Sequence, residues 1–286
     1  MVSTTEPLGA SQLRVLGETW RIRLDVKSAS GTIGLREGRE TGSSVEIQDF
    51  RDYVPGDDPR RIDWLAYGRT GRLVVRLFRE EVSPFFDVLV DASASMALED
   101  GRKHHLAVEL CGWLFHSARA EGLAVRLFAV GEQVRRVDDP VQIAFTEPVS
   151  VLFADPRRAA AALRRSSVRL VLTDFMSPAD PASVLRALSA GCSKLVLVHL
   201  LGPWEAAPNA EGPSVLEAAE GGLQMDIQLE HKAIEAYRKR LNALVNAIKD
   251  EMFRCGGQYV GVVADRGIEA VLRDTFLPAG LAEVRG

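Results

Sequence analysis

Asp91, Ser93 and Ser95 stand two residues apart at the end of an apolar run, FFDVLVDASASM over residues 85–96. One carboxylate and two hydroxyls make a hard-oxygen set of the kind that Mg²⁺ or Mn²⁺ takes. The D-x-S-x-S spacing lets these oxygens converge on one ion from a single tight loop. The plainer alternative is a polar loop that caps the next helix, and a motif this short does not separate the two. A second acid, Asp174, follows the run Val168–Leu172 in Thr173-Asp174-Phe175. If both runs are parallel strands, their carboxyl ends share one rim, where open α/β sheets place their ligands, and Asp174 faces the Asp91 loop. Thr146 is the only threonine between residues 96 and 172, and it is the candidate for one more oxygen donor, with a water as the alternative.

These residues need a sheet to position them, and the chain after Pro84 supplies one. Residues 85–90 are short and nearly all apolar, as in a strand buried on both faces. A helix is expected over 104–120, with Leu106, Leu110, Trp113, Leu114 and Ala118 on one face and Gly122 as its stop. Strands are expected at 123–130, 133–137, 168–172, 194–200 and 258–263. Asp155-Pro156 and Asp180-Pro181 are helix starts, an N-cap acid followed by proline at the first position. Long amphipathic helices are expected over 230–253 and 268–276, and a loop over 202–222. Strand–helix alternation of this kind gives a largely parallel sheet with helices on both faces. The chain before residue 84 differs. Residues 1–12 read as a loose terminus, 18–24 and 73–78 as strands, and the Gly/Ser-rich 28–44 as loop. The expected division is a β-rich part over 1–84 and an α/β domain over 85–286.

Composition narrows the function classes. The net charge of −4 argues against broad nucleic-acid binding. No run of about 18 apolar residues marks a membrane span. The start, MVSTTEPLGASQL, lacks a signal peptide's basic and apolar stretches. Cys111, Cys192 and Cys255 are widely spaced, which suits a reduced cytoplasm and no zinc site. The five histidines form no HExxH, and no Walker A loop or GxGxxG occurs.

A second unusual stretch is EIQDFRDYVPGDDPRRIDWLAYGRTGRLVVRLFREE, residues 46–81. Acids and arginines alternate with aromatics. Asp57, Asp58, Arg60, Arg61, Asp63 and Arg69 are candidates for an ion-pair lattice with bidentate Arg–Asp geometry. Such a lattice fixes structure, or docks a partner, or forms an active site on Asp57, Asp58 and Asp63; Arg51, Tyr53, Gly56 and Trp64 share the structural or docking role. The ordered run from Glu46 through Arg51, Tyr53, Pro55-Gly56-Asp57-Asp58, Arg60, Asp63-Trp64 and Arg69, then Phe78, Glu80-Glu81 and the Asp91 loop, resembles the proteins called domain of unknown function 58. The chain departs from that pattern at Ile47, where Phe is usual, and at Gly68, where Ala is.

The resemblance implies a von Willebrand A-like (Rossmann-like) α/β domain with a β-rich N-terminal part, and partnership with MoxR-type AAA+ ATPases. The Asp91 loop likewise resembles the metal-ion-dependent adhesion site of von Willebrand A domains. There Asp91, Ser93, Ser95, Thr146 and Asp174 would hold Mg²⁺ or Mn²⁺, whose open position takes a carboxylate from a client protein. The expected function is a non-enzymatic, metal-dependent, cytoplasmic adaptor, acting in assembly or maturation of a client complex. The alternative is a metal-dependent hydrolase or phosphoryl-transfer enzyme using Asp91. Aspartate-nucleophile phosphatases usually carry a second Asp two residues on, where this chain has Ser93.

Overall fold

In the computed structural model the described residues are 8–23, 26–28, 31–33, 47–55, 57, 59, 62–78, 85–98, 102–208, 212–217 and 224–285. The elements run α1 (Ala10–Thr19), β1 (Trp20–Ile22), β2 (Val26–Ser28), β3 (Gly31–Ile33), β4 (Ile47–Asp52), α2 (Trp64–Thr70), β5 (Val74–Phe78) and β6 (Phe86–Asp91). They continue with α3 (Arg102–Ala120), β7 (Val125–Val130), β8 (Val134–Val137), α4 (Val151–Ala154), α5 (Pro156–Ala161), β9 (Val168–Thr173), α6 (Pro181–Ser189), β10 (Lys194–Leu201) and α7 (Pro203–Ala206). The last are β11 (Gly212–Glu217), β12 (Gln224–Leu229), α8 (His231–Arg254), β13 (Gln258–Val263), α9 (Ile268–Val271) and β14 (Ala282–Val284).

Two compact units result: Met1–Leu35 with Pro84–Gly286, and Arg36–Ser83. The seam near residue 84 is where the change of texture in the sequence falls. The first 35 residues group with the α/β part.

The larger unit is built on a six-stranded sheet in the order β13-β10-β9-β6-β7-β8. All its pairings are parallel except β7 with β8, which the turn at Gly131 joins as a hairpin. The central strands alternate side chains between two cores, as a pleated strand must when both faces are covered. Phe86, Val88 and Val90 of β6, and Leu170 and Leu172 of β9, pack with Leu106, Leu110 and Trp113 of α3. Leu89, Val171 and Leu197 point the other way, onto Ala159 of α5, Leu185 and Leu188 of α6 and Met252 of α8. The result is a mixed α/β fold with helices flanking the sheet.

Three stretches differ from expectation. Residues 10–19 are helical rather than loose, because Gln12 Oε1 accepts from Gly9 N at 3.0 Å and Leu13 and Leu16 are buried. This helix lies very close to α3. A Cβ on Gly17 would stand 2.6 Å from His116 Cβ and 2.8 Å from Ser117 N, so that position needs glycine, while one on Gly112 would meet the Leu13 side chain at 2.6 Å and push it aside. Within 202–222, expected as loop, α7 forms and β11 pairs antiparallel with β12. The helix expected over 157–165 stops at Ala161.

Candidate functional site

The parallel register lines up the carboxyl ends of three strands. Val90 pairs with Leu172 and Thr173 pairs with His199, so Asp91 and Thr173 end neighbouring strands on one rim and His199 of β10 lies beside Thr173, two residues before its strand ends. Asp91 is fully buried there. Its Oδ1 accepts from Ser93 N at 3.1 Å and its Oδ2 from the Thr173 hydroxyl at 2.7 Å. Thr173 Oγ1 in turn accepts from Phe175 N at 3.0 Å. Phe175 takes a left-handed backbone, φ 54°, uncommon for a bulky residue. Its fully buried ring, edge-on to Phe153 at 5.1 Å, holds it there and turns the chain sharply after Asp174.

Burial raises the Asp91 carboxyl to about 6, and the nearby Asp174 charge adds to the rise, while the donors from Thr173 and Ser93 oppose it. The Ser93 and Ser95 hydroxyls lie 3.0 Å apart above it. That is the separation of two adjacent ligands on an octahedral ion with bonds of about 2.1 Å.

Asp174 is committed differently. Its Oδ1 accepts from Met176 N at 3.0 Å, and its Oδ2 accepts from Lys103 Nζ at 2.9 Å. Lys103, in the first turn of α3, has no solvent exposure, and its ammonium also donates to Glu205 Oε1 at 2.5 Å. Glu205 Oε2 accepts from Gly202 N at 2.7 Å at the start of α7. Burial alone would lower the Lys103 pKa, but the charges of Asp174 and Glu205 outweigh it and the net direction is up, so the ammonium persists. His199 Nε2 lies 2.8 Å from the Asp174 carbonyl, and Nδ1 lies 3.0 Å from Tyr259 OH. A carbonyl only accepts, so Nε2 carries the proton and Tyr259 donates to Nδ1. Burial pushes the His199 pKa down and keeps the ring neutral.

The rim thus gathers Asp91, Ser93, Ser95 and Asp174. Thr146 is exposed, and the threonine hydroxyl that meets Asp91 is that of Thr173. Thr146 precedes Glu147, whose backbone bridges the Asp91 loop through Ala94 N to Glu147 O at 2.9 Å. The donor chemistry of Asp91, Ser93 and Ser95 fits a hard divalent ion. Asp174 fits less well, because an ammonium already occupies one of its oxygens.

The smaller unit carries the Arg–Asp segment. Arg51 grips Asp57 through two bonds of 2.7 and 2.6 Å, and Asp57 also accepts from Val54 N at 2.9 Å, closing the turn. The guanidinium holds the Asp57 carboxyl below its ordinary range. Asp63 caps α2, accepting from Leu65 N at 3.0 Å and Ala66 N at 3.1 Å. Tyr53 is half-buried, Trp64 and Arg69 are exposed, and Trp64 stacks edge-on with Tyr67. Gly56, Asp58 and Arg60 lie outside the described residues.

Residues 49–249 match the family described as "Protein of unknown function DUF58". The chain belongs to the DUF58 family. Uncharacterised proteins of Mycobacterium bovis and Mycobacterium tuberculosis are 24% identical to this DUF58 chain over 279 residues, covering 91% of it and 86% of their own length. Among solved structures, the conserved hypothetical protein BatB from Bacteroides thetaiotaomicron is similar at 12% identity, covering 67% of this chain and 94% of that one, with a TM-score of 0.36. An aerotolerance-related membrane protein from Bacteroides fragilis is similar at 15% identity over 60% of this chain and 99% of that one, with a TM-score of 0.31. At those scores neither likeness carries an argument. Among the described residues of this DUF58 protein, no helix is long and apolar enough to cross a membrane.

Sequence reasoning passed over Thr173, Lys103, His199 and Glu205. Thr173 adjoins Asp174 at a strand end, and that position was the signal for it. Gly202-Pro203 followed by Glu205 is a helix-start pattern, proline first and an acid in the first turn, which would have placed Glu205. Lys103 had no signal, because a lysine opening a helix ordinarily points to solvent.

Proposed function

We propose that this DUF58 protein is a non-enzymatic, cytoplasmic interaction adaptor with a von Willebrand A-like domain. Its sheet rim receives an acidic side chain of a client protein, and a MoxR-type AAA+ ATPase remodels the complex. The observation that carries this reading is the Ser93–Ser95 hydroxyl pair, 3.0 Å apart over a buried Asp91 at the rim. Asp91, Ser93 and Ser95 would hold Mg²⁺ or Mn²⁺, which would supply an electrophilic position for the client's carboxylate. The ATPase partner and the assembly role rest on the family resemblance.

The geometry favours binding over turnover. An aspartate nucleophile needs an oxygen open to a substrate as large as a phosphate ester, whereas a small ion needs only the second lone pair of an oxygen that already accepts a hydrogen bond. Both Asp91 oxygens are taken by Ser93 N and the Thr173 hydroxyl, and the residue is buried.

The test is affinity capture from native lysate, in Mg²⁺ and in EDTA, with wild-type protein and Ser95→Ala. Ser95 is only half-buried, so this variant leaves the core intact. An AAA+ ATPase or a client retained by wild-type protein and lost in Ser95→Ala supports the reading. Identical capture by both proteins would sink it.

A further inference from the structure

We propose that Lys103 is a built-in counter-cation that holds the Asp174 carboxylate in place and weakens divalent-ion binding at the Asp91–Ser93–Ser95 rim. The inference rests on the reading of that rim as an ion site and concerns how strongly it binds.

A lysine with no solvent exposure is rare, because the desolvation of an ammonium is tolerated only beside matching negative charge. Lys103 has two carboxylates, Asp174 at 2.9 Å and Glu205 at 2.5 Å. It therefore joins α3, the end of β9 and the start of α7 through one charge. Asp174 directly follows Thr173, whose hydroxyl bonds Asp91 Oδ2 at 2.7 Å, so the two carboxylates stand at neighbouring strand ends. An ion held by Asp91, Ser93 and Ser95 would thus sit beside Asp174 and draw on its charge. The ammonium cancels that charge, occupies Oδ2, and repels a second cation. Meanwhile the rim keeps its shape through hydrogen bonds alone: Ser93 N and Thr173 to Asp91, Met176 N and Lys103 to Asp174. A site arranged this way is formed without metal and binds one weakly.

A purely structural lysine would change stability when removed, with no gain in ion affinity. Mn²⁺ is the probe, titrated calorimetrically into the full chain. Lys103→Met removes the ammonium. Lys103→Met/Glu205→Gln removes one charge of each sign, so the buried charge balance is kept and folding is easier. Both variants are expected to bind one Mn²⁺ at least about tenfold more tightly than wild type, since a like charge at close range is removed. Adding Ser95→Ala should abolish that gain. Equal or weaker Mn²⁺ binding in a folded variant would overturn the proposal, as would no binding by any form. Wild-type protein that saturates at low micromolar Mn²⁺ would overturn it without any variant. The capture experiment reads the interaction function separately, because a partner can be lost in Ser95→Ala whatever the Mn²⁺ affinities are.

Discussion

Replacing Thr173 by Val keeps the side-chain shape and deletes one hydroxyl. That hydroxyl donates to Asp91 Oδ2 at 2.7 Å and accepts from Phe175 N at 3.0 Å, both buried. A hydrogen bond to a charged group is worth about 1.5–3 kcal/mol, and a stranded buried amide costs about 1–3 kcal/mol. Together the loss is roughly 3–5 kcal/mol while Asp91 is ionised. For a unit of this size each kcal/mol moves Tm by about 2 °C, so a fall of roughly 6–10 °C is expected at pH 8. The pH dependence carries the stronger test. Asp91 is raised from 3.8 to about 6 on folding, so the folded state holds its proton more tightly than the unfolded chain does. That contribution favours folding at low pH and is lost as pH rises through about 6. Thr173 pulls the value down, so Thr173→Val pushes it higher and extends the decline above pH 6. The penalty should therefore be larger at pH 8 than at pH 5, where Asp91 is protonated in both folded proteins. Urea unfolding in EDTA at the two pH values measures it. Equal penalties at both, or a penalty under about 1 kcal/mol at pH 8, would refute the assignment of that hydrogen bond.

Arg169, buried near the amino end of the central strand β9, donates to the carbonyls of Leu188, Ala190 and Arg164 at 2.6, 3.0 and 3.1 Å. Arg169→Met strands those carbonyls and should cost about 3 kcal/mol or more, read by urea unfolding. Asp63→Ala removes the cap of α2 and should cost about 1 kcal/mol there, with faster hydrogen exchange at the Leu65 and Ala66 amides, while Asp63→Asn should spare most of it. The Cys111 thiol, on the buried face of α3, is pushed far above its usual pKa by burial. A thiol reagent at pH 8 should spare Cys111 in the folded protein and modify it after urea, and modification of native Cys111 as fast as in urea would contradict its burial.

The rim was legible because its parts follow two apolar runs, and parallel strands put their ends together. Asp91 and Asp174 needed no tertiary information beyond that. The rest depended on packing. Thr146 stands out in the sequence as the lone threonine of an intervening stretch, whereas the hydroxyl on Asp91 is that of Thr173, which the β6–β9 register sets opposite Asp91. Lys103 is buried only because α7 brings Glu205 over it, and α7 fell inside a stretch whose Gly and Pro content read as loop. The same composition hid the β11–β12 pairing. Residues 8–16 carried a readable signal, Leu13 and Leu16 three apart after a glycine start, but their burial depends on how closely Gly17 and Gly112 let two helices approach. In the 46–81 segment a bidentate Arg–Asp pair does form, but its arginine is Arg51, outside the expected lattice of Asp57, Asp58, Arg60, Arg61, Asp63 and Arg69. Asp63 serves a helix end, a local role that Asp-Trp-Leu-Ala before an apolar turn was able to announce.

The pairing of β1 with β14 has a consequence for how the molecule is made. Trp20 lies opposite Val284, and Arg21 bonds Glu283 across a separation of 262 residues. During translation the early strand must wait for a partner assembled at the far end of the message. Until then α1 and β1 rest on α3, through Leu13, the Trp113–Trp20 bond and the Ser117 hydroxyl that receives Ile22 N. The stretch 36–83, which interrupts the larger unit in sequence, emerges from the ribosome long before that unit is complete. Arrested nascent chains ending before and after residue 282 would therefore differ in protease resistance at their N-terminal ends.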